Sequence, residues 1–132
     1  MDIKKILIVV VGAILFNSCN PKENQSIQVL SLDSFEKRLN ELPDKIILDV
    51  RTPEEYQDAH IKNATLRDIY DPDFKEKVNN LDKSKPIFVY CASGIRSEKA
   101  ANILSQLGFK KIYHMEGGLK QWISADKPVQ TN

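Results

Sequence analysis

From Ile27 onward the apolar residues fall into two alternating rhythms. Short runs rich in β-branched and aromatic residues, Ile27–Leu30, Ile46–Val50, Ile87–Tyr90 and Lys111–His114, read as strands, and the least interrupted of them read as buried on both faces. Between them the apolar positions return every three to four residues. Leu32, Phe35 and Leu39 mark the inner side of a helix over Leu32–Leu42, Asp73–Leu81 predicts another, and Gly118–Ser124 a last one. Ala100, Ile103, Leu104 and Leu107 form one face of a longer helix, with Lys99, Asn102, Ser105 and Gln106 opposite and Gly108 as its stop. Thr52-Pro53-Glu54-Glu55 opens a short helix, with Thr52 as N-cap, Pro53 at the first position and Glu55 closing a capping box. Strands alternating with helices predict an α/β fold with a mainly parallel central sheet and helices on both faces. In such a sheet the ligand site lies beyond the carboxyl ends of the strands, where Arg51 and Cys91 both emerge.

Tyr90-Cys91-Ala92-Ser93-Gly94-Ile95-Arg96-Ser97 places a thiol between the end of a strand and the start of a helix. The unpaired N–H groups and positive dipole end of a helix favour negative charge nearby. Such surroundings lower a thiol pKa from about 8.5 to as low as about 3.5–7.5. A cysteine after an apolar strand is more commonly a small buried hydrophobe, but a core cysteine needs no loop of this kind. Ser93 and Gly94 are turn formers and Arg96 is a fixed cation, a set that curls backbone around an anion.

That loop, followed by Ala100-Ala101, Leu104, Gly108-Phe109, Ile112-Tyr113 and Glu116-Gly117-Gly118-Leu119-Lys120-Gln121-Trp122, resembles the rhodanese-like family. Ile47-Leu48-Asp49-Val50-Arg51-Thr52-Pro53-Glu54-Glu55-Tyr56, then His60-Ile61 and Ala64, resembles the family's upstream signature. The match runs from about Val29 to Pro128, with several motifs in the right order. Ala59 and Asn63 depart from it, standing where the family usually carries glycines, in a connecting loop. The resemblance implies sulfur transfer without a cofactor. Cys91 would take the outer sulfur of a small donor such as thiosulfate or a persulfide, and pass it to a thiol or a cyanide-like acceptor. The backbone N–H groups of Ala92, Ser93, Gly94, Ile95, Arg96 and Ser97 would hold the anionic sulfur, with no hydroxyl or imidazole base required. Arg96 would add positive potential for an anionic donor or fix the loop, while Asp49 and Arg51 would organise the loop's neighbourhood.

Other proteins of this fold use a Cys-and-Arg loop on phosphate or arsenate. Their loops resemble Cys-x5-Arg, whereas Cys91 and Arg96 here are separated by four residues, a tighter ring that suits a persulfide sulfur better than a tetrahedral phosphate. A non-catalytic module that binds a partner or senses sulfur compounds through Cys91 would keep the same loop.

The N-terminus has a different pattern. Met1-Asp2-Ile3-Lys4-Lys5 is basic, Ile6 to Phe16 is apolar, and Asn17-Ser18 precede Cys19. The order reads as a signal peptide, since the apolar run is well short of the about 20 residues that span a bilayer. A cysteine at the cleavage point resembles a bacterial lipoprotein signal. The expected organisation is residues 1–18 as signal peptide, 19–26 as lipidated Cys19 and polar tether, and 27–132 as the rhodanese-like domain. The protein would then be exported and lipid-anchored to a bacterial membrane, facing the periplasm or the surface. Asn20 in place of an Asp, which resembles an inner-membrane retention signal, points to the outer membrane.

With two cysteines in all, lipidation of Cys19 leaves Cys91 as the sole thiol. There is no Cys-x-x-Cys for thioredoxin-like chemistry, and His60 and His114 have no zinc-ligand spacing to each other or to Cys91, so both read as structural. Gly117-Gly118 lacks the lysine and serine of a phosphate loop and reads as a tight turn, and Trp122 reads as core. The formal net charge of +1, with no basic stripe, argues against nucleic acid as a partner.

Overall fold

The computed structural model describes Gly12 and residues 26–132. The expected signal peptide, Cys19 and most of the tether lie outside the described residues. Ten elements follow one another: β1 (Ile27–Leu30), α1 (Leu32–Glu41), β2 (Ile46–Asp49), α2 (Pro53–Asp58), β3 (Thr65–Leu66), α3 (Phe74–Asn79), β4 (Ile87–Tyr90), α4 (Ile95–Gln106), β5 (Ile112–Met115) and α5 (Gly118–Ser124). The five strands form one parallel sheet in the order β1-β5-β4-β2-β3. The predicted elements are present, β1, β4 and α5 with the expected ends and the others with ends shifted by one to a few residues. The two-residue edge strand β3 is an addition, too short for its period to be read.

Both faces of the sheet are covered, because successive residues of a strand point to opposite sides. Ile87, Val89 and Cys91 lie on the side packed with Phe74 and Val78 of α3 and Ala100, Ala101 and Leu104 of α4. Phe88 and Tyr90 join Phe35 and Leu39 of α1 and Leu119 and Trp122 of α5 on the other side. Every residue of β4 is fully buried, which explains its unbroken apolar run. Trp122 is 1% exposed and meets Phe35 edge-on, so it is core.

Helix α2 begins as its sequence dictates: Thr52 caps it and Glu55 completes the box. Asn63 adopts φ 67, the left-handed conformation that glycine takes most easily, while Ala59 is in extended backbone that any residue adopts. The departures from the family pattern thus change one turn and leave the strands alone. Among the described residues no helix is long and apolar enough to cross a membrane.

Candidate functional site

Cys91 is the first residue after β4 and is fully buried. The chain turns sharply there because Gly94, at φ 103, precedes the first turn of α4 in a conformation that costs most side chains dearly. The turn brings donors to the sulfur. Gly94 donates its backbone N–H to Cys91 Sγ at 3.0 Å, and the Ser97 hydroxyl lies 3.3 Å from the same atom. Burial pushes the Cys91 thiol up. Hydrogen bonds from the Ser97 hydroxyl and from the N–H groups of Ser97, Gly94 and Ser93 outweigh that, so the thiol sits below its ordinary value. The loop therefore turns its donors toward one sulfur, the Gly94 N–H and the Ser97 hydroxyl within hydrogen-bond reach, which stabilises a thiolate or another anionic sulfur in its place.

The rim of the loop is held from two sides. Arg96 donates to both carboxylate oxygens of Glu55, at 2.8 and 2.9 Å, and lies 5.9 Å from the exposed Tyr70 ring. Hydrogen bonding and charge from Arg96 hold the Glu55 carboxyl down to about 2, so this pair persists through acid conditions until the pH approaches that value. The guanidinium fork expected for an anionic donor is thus closed by a carboxylate, and Arg96 ties the loop to α2. Glu55, which the sequence assigns to a helix cap alone, serves both the cap and this clamp.

From the other side, α5 docks its first amides on the loop: Leu119 N–H donates to the Cys91 carbonyl at 2.8 Å and Lys120 N–H to that of Ala92 at 3.0 Å. Gly118 makes the approach possible. It sits at φ 65, and a Cβ there would overlap the backbone of Ala92 and Ser93. Gly118→Ala is expected to combine a left-handed penalty with overpacking, together about 2–5 kcal/mol. The thermal midpoint should fall by roughly 10 °C or more, with any folded fraction alkylated abnormally at Cys91. Differential scanning calorimetry with thiol labelling checks it; an unchanged melting curve would show that the approach tolerates a methyl group.

Beneath the loop, Asp49 and Arg51 form a buried ion pair. Asp49 Oδ2 accepts from Arg51 Nη2 at 2.8 Å and from the Tyr90 hydroxyl at 2.7 Å, while Asp49 Oδ1 accepts from Arg51 Nε at 2.9 Å and Arg51 N at 3.0 Å. Arg51 reaches on to the Ala59 carbonyl, and the Tyr90 oxygen accepts from Ile61 N–H. Burial pushes the Tyr90 phenol up and the adjacent Asp49 charge adds to it, so Tyr90 stays a donor. None of these contacts reaches Cys91; the network fixes the end of β2 against β4 and the connection beyond α2.

The two histidines part company. His60 stacks on Tyr56, places Nδ1 2.8 Å from the Tyr56 carbonyl and exchanges backbone hydrogen bonds with Gln130, away from the loop. His114 is at the site: its Nε2 lies 2.7 Å from Ser97 Oγ and 3.2 Å from the Gly94 carbonyl. Its separation from Cys91 in sequence is bridged by register. Val89 pairs with His114 across β4 and β5, so a polar side chain on the Cys91 side of a buried strand sits two residues below the thiol. That polar position was the available signal, and distance in sequence hid it. A hydroxyl and an imidazole therefore lie beside the thiol, although the loop chemistry requires neither as a base.

A surface pocket of about 450 Å³ lined by Ser93, Gly94, Ile95, Glu98, His114 and Glu116 opens beside the loop. A larger one, about 550 Å³, contains no residue of the loop. Among the described residues no group of three or more His, Cys, Asp or Glu side chains is placed to hold a metal ion.

The rhodanese-like domain profile matches residues 31–125. The chain belongs to the rhodanese-like domain family. It is 36% identical over 95 residues to the thiosulfate sulfurtransferase GlpE of Coxiella burnetii, covering 72% of this chain and 85% of that protein. It is 34% identical over 99 residues to the putative sulfur carrier protein YrkF of Bacillus subtilis, covering 74% of this chain but 51% of that protein. Against the tRNA uridine(34) hydroxylase of Cytophaga hutchinsonii, 38% identical over 86 residues, the shares are 63% and 28%. The chain thus spans about half the length of the sulfur carrier relative and little more than a quarter of the hydroxylase. The rhodanese-related protein of Thermoplasma volcanium superposes with a TM-score of 0.69 at 30% identity, covering 80% of this chain and 99% of that one. The polysulfide-sulfur transferase homodimer of Wolinella succinogenes gives 0.67 at 29% identity, covering 83% and 82%. Rhodanese-like domains with sulfurtransferase and sulfur-carrier relatives share this sheet.

Proposed function

We propose that this rhodanese-like domain is a sulfurtransferase in which Cys91 is the nucleophile. The observation that carries the reading is the convergence of the Gly94 N–H and the Ser97 hydroxyl on Cys91 Sγ, with the thiol below its ordinary value. The thiolate attacks the outer sulfur of thiosulfate or of a persulfide. The S–S bond of the donor breaks, sulfite or a thiolate leaves with the electron pair, and Cys91 carries the transferred sulfur as a persulfide anion. A thiol or cyanide-like acceptor then attacks that outer sulfur and the Cys91 thiolate leaves. The loop amides hold negative charge in each of these states, so the same donors serve loading and release. Ala92, Ser93, Gly94, Ile95, Arg96 and Ser97 form the sulfur-binding loop, with Arg96 shaping it through Glu55 and Asp49–Arg51 supporting it from below.

Turnover of thiosulfate with cyanide, read as thiocyanate, and of a glutathione-type persulfide with a thiol, tests the reading. Sulfur transfer with at least one donor is the expected result. Hydrolysis of an aryl phosphate without sulfur transfer would assign the loop to oxyanion hydrolysis, and loading without transfer to any acceptor would make it a sensor.

The N-terminal pattern supports a lipid anchor on Cys19 and an exported, membrane-attached domain, with the outer membrane as its site. Cys19→Ala is expected to abolish both cleavage after Ser18 and incorporation of labelled fatty acid in bacterial cells. Persisting label, or a mature terminus elsewhere, would remove the anchor.

A further inference from the structure

The Ser97 hydroxyl has one proton and three neighbours able to accept it. Cys91 Sγ is 3.3 Å away, the Gly94 carbonyl 3.1 Å and His114 Nε2 2.7 Å. Which of them receives that proton decides whether the thiolate has a side-chain donor. The Gly94 carbonyl oxygen is contested as well: it accepts Glu98 N–H at 3.1 Å, and His114 Nε2 lies 3.2 Å from it. A carbonyl oxygen has two lone pairs and can only accept. The nearness of Nε2 to this acceptor is a hydrogen bond only if Nε2 carries the hydrogen.

With the hydrogen on Nε2, the accounting closes. The imidazole N–H is shared between the second lone pair of the Gly94 carbonyl and a lone pair of Ser97 Oγ, as a three-centre bond. Both alternatives for the Ser97 proton are then removed: Gly94 is saturated, and Nε2 is a donor rather than an acceptor. Cys91 Sγ is the acceptor that remains. Without the imidazole, the Ser97 proton is divided between Gly94 and the sulfur.

We infer that His114 is a positioning residue that, by donating from Nε2 to Ser97 and Gly94, commits the Ser97 hydroxyl proton to the Cys91 sulfur. It acts through Ser97 at the nucleophile. The groups facing His114 agree with this placement. Burial pushes the His114 imidazole below its ordinary value, against the opposing pull of the Gly94 carbonyl, of Glu98 on α4 and of Glu116 just past β5, so the ring is held neutral with a single hydrogen to place. Its register neighbours on β1 and β4, Val29 and Val89, are uncharged. The sulfur also feels Arg96, whose charge is balanced by Glu55.

The inference rests on Cys91 as the reactive thiolate, and its test measures that thiolate without sulfur transfer. Full-length protein in detergent is alkylated with iodoacetamide across the thiol titration range, and modification of the Cys91 peptide is followed by mass spectrometry. His114→Val suits a buried strand and has no donor; His114→Gln keeps a non-titrating amide N–H near the Nε2 position. His114→Val should raise the midpoint of Cys91 alkylation by about one pH unit, a tenfold smaller thiolate fraction at neutral pH. Ser97→Ala should raise it by a similar amount, the double variant by no more than either alone, and His114→Gln should restore most of the wild-type midpoint. An unchanged midpoint in a folded His114→Val protein, or additive shifts in the double variant, would overturn the inference. If His114→Val does not fold, His114→Leu, which also lacks a donor, decides in its place: an upward shift of about one pH unit that His114→Gln does not show supports the arrangement, and an unchanged midpoint overturns it. The expected pattern in a protein that accepts no sulfur would leave this proton arrangement standing and overturn the sulfurtransferase reading.

Discussion

Cys91→Ser is expected to lose sulfur loading and turnover by about a thousandfold or more, the scale seen when a covalent nucleophile is removed. The melting curve should move by only a few degrees. Cys91 is the first residue beyond β4, and the serine hydroxyl finds the same Gly94 N–H and Ser97 partners that serve the sulfur. It fails chemically rather than structurally: an alcohol of ordinary acidity is not ionised by hydrogen bonds of this strength, and oxygen does not form a persulfide. Parallel calorimetry and thiocyanate assays check both halves. Retained turnover in Cys91→Ser would mean that the chemistry lies elsewhere in the chain.

Asp49→Ala is expected to give the largest loss of stability among single substitutions at the site, about 3–5 kcal/mol. Arg51 is 5% exposed and spends its Nε, one Nη and its backbone N–H on Asp49, and Tyr90, fully buried, donates to the same carboxylate. Removing Asp49 leaves a buried cation and a buried hydroxyl without their acceptor at the junction of β2 and β4. For a domain of this size the thermal midpoint should fall by roughly 10–20 °C. Asp49→Asn, which keeps the shape and loses the charge, should fall between wild type and Asp49→Ala. The signature that this is support rather than chemistry is that folded Asp49→Asn protein, assayed well below its midpoint, loads sulfur on Cys91 at nearly the wild-type rate. A collapse of loading in that folded variant would give the carboxylate a direct part in the reaction.

The sequence displays the parts of this structure whose causes are local. Strand β4 is legible because burial on both faces forces an unbroken apolar run, and α2 because Thr52, Pro53 and Glu55 each satisfy a specific demand of a helix start. The Cys91 loop is legible because Gly94 and its neighbours have no use in a plain core. What stays hidden depends on residues distant in the chain. Glu55 and Arg96 meet across 41 positions, and nothing in the capping box announces a second partner. His114 reaches Ser97 only because β5 is laid beside β4 in a register that local pattern does not encode. Gly118 reads as a turn residue until α5 is seen resting on the carbonyls of Cys91 and Ala92. Strand β3 has two residues, too few for any period.

The central claim is that Cys91 carries the sulfur in transit. Intact-protein and peptide mass spectrometry after exposure to thiosulfate or a small persulfide tests it most directly. The account predicts one added sulfur, located on Cys91, removed by cyanide or a thiol, and absent from Cys91→Ser. An adduct on Cys91→Ser, or no adduct on wild type with any donor while the thiol remains open to iodoacetamide, would contradict it.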